Sequence, residues 1–158
     1  MYSHPIAAGT DETAEVAKLE DETSEELTNE TYGALKALCE QAAESAMPGR
    51  VNNVRAGLIV GPHDRSDRFT YWPVRIARGG ETLVPPLDTP VQIIDVRDLA
   101  AWCLRMAEAR KGGVYNVTGP ALPLNLGDVV DACQAASGNK AELIEATEEF
   151  LTQHEVAP

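Results

Sequence analysis

Short apolar runs recur along this chain with helical segments between them, and that alternation most narrows the folds open to it. Residues 54–60 form such a run, bounded by Asn53 and by Gly61-Pro62, and they read as a buried strand. Residues 92–96 and 114–117 read as two more strands. A helix is expected over 29–46, with Thr28 or Asn29 as its cap and Pro48-Gly49 as its end. Further helices are expected over 68–77, stopped by Gly79-Gly80, and over 97–110, with Leu99, Trp102, Cys103, Met106 and Ala107 on one face. Asn125 caps another helix to about 136, with Asp128 completing a capping-box analogue. Leu83-Val84 and residues 143–145 read as brief extended pieces, and 147–154 as a last helix. Residues 3–22 lack periodicity and read as a long loop. Strands that alternate with helices define an α/β class.

The 158 residues and 17.0 kDa suit one domain. No apolar run approaches the roughly 20 residues needed to cross a bilayer, and Met1-Tyr2-Ser3-His4-Pro5 lacks the charged and apolar regions of a signal peptide. Cys39, Cys103 and Cys133 lie in unrelated apolar contexts without a CxxC pair. They read as small buried hydrophobes in a reducing cytoplasm rather than as disulfides or metal ligands. The three histidines are scattered, which argues against a zinc site. The net charge of −12 is concentrated early: residues 11–30 carry nine acids against Lys18 alone. Such a stretch argues against nucleic acid or an anionic membrane as a partner. The bases gather in 55–111, where an anionic ligand is better placed.

Within the first helix, Tyr32 and Lys36 are four residues apart and so share one face. A free phenol has a pKa near ~10, and a neighbouring cation favours the phenolate. That arrangement suits proton transfer at an alcohol or sugar hydroxyl. By itself the spacing is also met by an idle pair on an exposed helix face.

Four blocks follow one another in order: Thr31-Tyr32-Gly33-Ala34-Leu35-Lys36, Val54-Arg55-Ala56-Gly57-Leu58-Ile59-Val60-Gly61-Pro62, Val91-Gln92-Ile93-Ile94-Asp95-Val96-Arg97-Asp98 and Val114-Tyr115-Asn116-Val117-Thr118-Gly119. Together they resemble the C-terminal half of the extended short-chain dehydrogenase/reductase family, the NAD-dependent epimerase/dehydratase group, over roughly residues 2–137. The resemblance implies a partial Rossmann-like, doubly wound α/β domain lacking its N-terminal cofactor-binding strands, with 1–158 as a single truncated domain. It implies an oxidoreductase, epimerase or dehydratase that uses NAD or NADP. Tyr32 would be the catalytic acid-base, and Lys36 would tune it while holding the nicotinamide ribose. Ala56 and Leu58 would meet the nicotinamide amide through their backbone, so Tyr32, Lys36, Ala56 and Leu58 form the expected cofactor contacts. The loop over 61–72 would border the substrate pocket, where Tyr71 and Trp72 either stack on a ligand or simply pack. Asp98 is most simply a helix cap or dipole partner.

Three departures qualify what the resemblance implies. No glycine-rich turn follows a strand and opens a helix, so the pyrophosphate site is missing. Met1-Tyr2 resembles the Val-Tyr pair that follows the catalytic Ser or Thr of relatives, which places that hydroxyl upstream. Relatives also carry an Arg before the strand that holds Asp95, whereas residues 89–92 here are Thr-Pro-Val-Gln, with Arg75 or Arg78 as the nearest substitutes. A small carbonyl or hydroxyl substrate is therefore expected as readily as a diphospho-sugar. The alternative is a non-catalytic remnant or interaction module that self-associates through an open sheet edge.

Overall fold

The computed structural model describes residues 1–3, 6–7 and 9–154. Positions 4, 5 and 8 of the expected loop, and 155–158 of the expected domain, lie outside the described residues. Twelve elements follow in order: α1 (Asn29–Ala46), β1 (Asn52–Ala56), β2 (Leu58–Val60), α2 (Tyr71–Arg78), β3 (Gly80–Val84), β4 (Pro90–Asp95), α3 (Val96–Glu108), β5 (Gly113–Val117), β6 (Gly119–Asn125), α4 (Leu126–Ser137), β7 (Ala141–Glu145) and α5 (Glu148–Gln153). The mixed α/β class with parallel strand pairs is as the sequence led one to expect. Contacts gather the described residues into two compact units, one from 1–55 with 100–117 and one from 56–99 with the described residues from 118 onward.

In the first unit β1 pairs with β5, and α1 buries Ala34 and Ala37. Small side chains at these two positions let the helix lie close to what it covers. Gly33 is a second close approach, since a Cβ there would run into the backbone of Met1. Thr28 caps α1 with a reciprocal box: its hydroxyl accepts from the Thr31 amide at 3.2 Å, and the Thr31 hydroxyl accepts from the Thr28 amide at 2.8 Å. The acidic N-terminal stretch is mostly irregular but touches itself through an antiparallel bridge between Tyr2 and Val16. Trp102 and Tyr115 meet edge to face with ring centres 5.3 Å apart.

In the second unit β4 sits between β2 and β6. β2 runs parallel to it, with Leu58 opposite Ile93 and Val60 opposite Asp95, and β6 runs antiparallel. A separate parallel pair joins β3 to β7, from Gly80 opposite Ala141 to Val84 opposite Glu145. α4 buries Leu126, Val129, Val130 and Cys133, an i, i+3, i+4, i+7 stripe. With Ile76 and Ala141 they make the core, against which Phe69, Trp72, Val91, Leu124 and Leu143 pack. Trp72 is therefore a packing residue rather than a free stacking platform.

Four expectations change, the first being that Cys39, read as a buried hydrophobe, is exposed. The run over 54–60 is two strands divided at Gly57, where a Cβ would stand 3.3 Å from the Thr118 methyl carbon. The helix expected over 68–77 begins at Tyr71. The extended pieces at 83–84 and 143–145 are the ends of full five-residue strands.

Replacing Ile76, which is fully buried, by Ala is expected to destabilise the fold by about 2–5 kcal/mol through lost burial and a residual cavity. Urea unfolding measures this, with Leu104→Ala on an exposed helix position as the control that moves stability by less than about 0.5 kcal/mol.

Candidate functional site

The capping box fixes where α1 starts, and the helical repeat then places Tyr32 and Lys36 on one face. Both side chains are exposed, Tyr32 at 56%, whereas Ala34 and Ala37 on the buried side are at 2% and 3%. The helix thus presents a phenol and an ammonium outward from a face anchored behind them. Among the described residues Lys36 makes no ion pair. Ala56, exposed at the end of β1, and Leu58, half-buried at the start of β2, belong to the second unit.

One turn beyond Lys36, Glu40 is engaged from β1. Arg55 donates to it twice, Nε to Oε1 at 3.0 Å and Nη2 to Oε2 at 2.7 Å. Their side chains are only 9% and 15% exposed. The guanidinium also lies over the Tyr2 ring, 4.7 Å from its centre, and the Tyr2 hydroxyl donates to Asn116 Oδ1 at 2.6 Å. Glu40's hydrogen bonds hold Arg55 firmly protonated, well above the ordinary guanidinium range. Arg55 Nη1 is buried without a partner. The sequence reading gave Glu40 and Arg55 no role together. The available signal was a base inside an apolar strand, a charge that requires a partner when buried.

The loop after β2 is organised by Asp64, whose carboxylate accepts from the Ser66 hydroxyl at 2.6 Å and amide at 2.9 Å. Those bonds hold it below the usual carboxylate range. Asp95 at the end of β4 accepts from the Arg97 amide and Nε, each at 2.8 Å, and from Nη2 at 2.6 Å. This grip pushes its carboxyl down to about 2. Arg75 donates to the carbonyls of Gly79 and Glu81, which ties it to the end of α2 and leaves Arg78 as the less committed base. Asp98 stands in the first turn of α3, as a dipole partner would.

Each unit holds a sizeable cavity among others. One of about 630 Å³ in the first unit is lined by Arg50, Asn52, Cys103, Met106, Arg110 and Lys111 among others. One of about 600 Å³ in the second is walled by Phe69, Ile93, Leu124 and Val129, together with Asp95 and Asp98. Neither includes Tyr32 or Lys36, which stand on open helix surface. Among the described residues no group of three or more His, Cys, Asp or Glu is placed to hold a metal, and no helix is long and apolar enough to cross a membrane.

A strand-helix alternation with parallel pairs, carrying a Tyr and a Lys on one exposed helix face, defines the class of this chain as α/β. The model of the NAD dependent epimerase/dehydratase family matches residues 4–118, and the chain belongs to that family. A search of curated protein sequences returns no match. Among solved structures, a candidate epimerase from Burkholderia cenocepacia aligns with a TM-score of 0.67 at 20% identity, over 89% of this chain and 44% of that one. RMD from Pseudomonas aeruginosa complexed with NADPH aligns at 0.58 and 22%, over 71% and 41%. Thermus thermophilus UDP-glucose 4-epimerase in complex with NAD aligns at 0.54 and 18%, over 80% and 47%. At such identities the likeness establishes the fold, and the chain spans under half the length of each of these structures.

The Asp95–Arg97 contact gives a pH prediction. A carboxyl held down to about 2, against an ordinary 3.8, adds stability above the ordinary value, and that contribution is lost as pH falls toward 2. Carboxyl-carbon NMR should place the Asp95 midpoint near 2 and should return it toward 3.8 in Arg97→Ala.

Proposed function

We propose that this chain forms the C-terminal, proton-transferring part of an NAD(P)-dependent oxidoreductase, epimerase or dehydratase, with residues 1–158 acting as a single domain. The observation that carries this reading is the exposed Tyr32/Lys36 pair on α1, within the stretch that the family model matches. Donor chemistry and exposure fit the nicotinamide end of the cofactor: a phenol and an ammonium are presented together, free of other ion pairs among the described residues. The diphosphate end is not matched, because no helix among the described residues opens from a glycine-rich turn after a strand.

A nicotinamide, when bound, supplies the hydride acceptor or donor for the substrate carbon. Tyr32 takes the proton from the substrate hydroxyl as the carbonyl forms, and returns it in the reverse direction. Lys36 stabilises the phenolate while that proton is away and would hold a ribose hydroxyl, while Ala56 and Leu58 would offer their backbone to the carboxamide. The substrate is a small carbonyl or hydroxyl compound, with Arg78 as the base available should it carry phosphate. NAD and NADP are both compatible with these residues.

The rival reading is a non-catalytic interaction module. The two-stranded β1–β5 sheet favours it, since each strand offers an edge for a further chain.

In a polypeptide extended upstream to the neighbours' length, Tyr32→Phe is expected to lower turnover of a reducible substrate by about 10²–10⁴-fold. Near-full turnover would remove Tyr32 from the mechanism, and no turnover in the unsubstituted protein would favour the rival.

The 158-residue chain alone should show no saturable NADH binding at low micromolar concentration. Micromolar affinity corresponds to about −8 kcal/mol, much of which a dinucleotide obtains through its diphosphate. Fluorescence titration of NADH decides this, and saturation in that range would mean that the site is assembled by other residues.

A further inference from the structure

We infer that Arg55 is a positioning residue for the Tyr32/Lys36 pair, acting by keeping the Glu40 carboxylate away from Lys36. The inference rests on the reading of Tyr32 and Lys36 as a working pair. Along α1, Tyr32, Lys36 and Glu40 follow at successive four-residue steps. The Lys36 ammonium can therefore reach back to the phenol or forward to the carboxylate, and it cannot serve both equally. A lysine flanked in this way by a carboxylate would ordinarily pair with it, because the carboxylate carries a full charge and the phenol does not.

Here the forward option is closed. Both Glu40 oxygens accept from Arg55, at 3.0 and 2.7 Å, in the two-pronged geometry that a guanidinium alone provides. The pair is largely withdrawn from water, and the Tyr2 ring covers the guanidinium. With its charge matched by Arg55 and its side chain largely out of water, Glu40 draws a second cation only weakly. Lys36 is left exposed and without an ion pair among the described residues, so its ammonium is available to the phenol one turn back. Stripped of Arg55, the largely buried carboxylate would lose its hydrogen-bonded counter-charge. The next cation on its own helix is Lys36, and drawing it forward would take it from Tyr32.

This predicts an unusual rescue. NOE spectroscopy on the isotopically labelled chain should show Lys36 side-chain methylene contacts to the Tyr32 ring, and none to the Glu40 side chain. In Arg55→Met the contacts to Tyr32 should be lost and contacts to Glu40 should appear. In the double variant Arg55→Met/Glu40→Gln the Tyr32 contacts should return, because the neutral amide no longer draws the ammonium. A lock that merely braced the helix would not be restored by removing its second half. Arg55→Lys should keep the unsubstituted pattern, since it retains a cation for Glu40. Persistence of the Tyr32 contacts in Arg55→Met, or their continued loss in the double variant, would overturn the inference. Should Arg55→Met fail to fold, the unsubstituted chain still decides: Lys36 contacting Glu40 rather than Tyr32 there is equally fatal. These readouts need no turnover. A catalytically idle Tyr32→Phe would refute the proposed function and leave the NOE result standing, whereas a costly Tyr32→Phe beside an unchanged NOE pattern would refute this inference alone.

Discussion

The ion pair between Glu40 and Arg55 is the interaction on which the first unit depends. Withdrawing two charges from water costs several kcal/mol per ion. Two hydrogen bonds and an aromatic cover offset that cost, with Arg55 Nη1 left without a partner. Because Glu40 is on α1 and Arg55 on β1, the pair fixes the rotation of the helix about its own axis as well as its distance from the strand. A helix free to roll by one residue would turn Tyr32 by about 100° and present a different face. The buried alanines alone do not prevent this, since small apolar side chains slide past one another with little penalty.

Side-chain hydrogen bonds also shape the second unit, at its corners. Asp95 and Arg97 lock the passage from β4 into α3, and the Asn125–Asp128 box locks the passage from β6 into α4. Both lie where a strand hands over directly to a helix. The unit therefore has rigid corners around an apolar interior of ordinary aliphatic residues, and its loop after β2 is held by Asp64 rather than by packing.

Local signals made part of this legible in the sequence. The ends of α1 and α4 are set by caps and breakers within a few residues, so both helices lie where the sequence puts them. That Tyr32 and Lys36 share an exposed face follows from helical spacing in the same way. β6 was not legible, because Pro120 and Pro123 interrupt the pattern of a strand; they are tolerated because β6 pairs on one side only, with β4. Gly57 divides a continuous apolar run for a reason the run does not contain: the close approach of Thr118, sixty-odd residues later. Glu40 and Arg55 are likewise partners across a turn and a strand, a long-range choice that no local window shows. The roles of Tyr32, Lys36, Ala56 and Leu58 come from resemblance, not from any contact in the fold.

The pairing of β3 with β7 has a consequence for how the second unit comes to exist. Gly80 finds its partner at Ala141, and the intervening chain must supply β4, α3, β5, β6 and α4 before β7 arrives. Closing so large a loop is entropically slow, and parallel pairing has no tight-turn shortcut. During synthesis, β3 therefore emerges well before the strand that shields it. Its buried Thr82 and Val84 spend that interval uncovered, which leaves 80–84 open to capture by a chaperone or by another nascent chain.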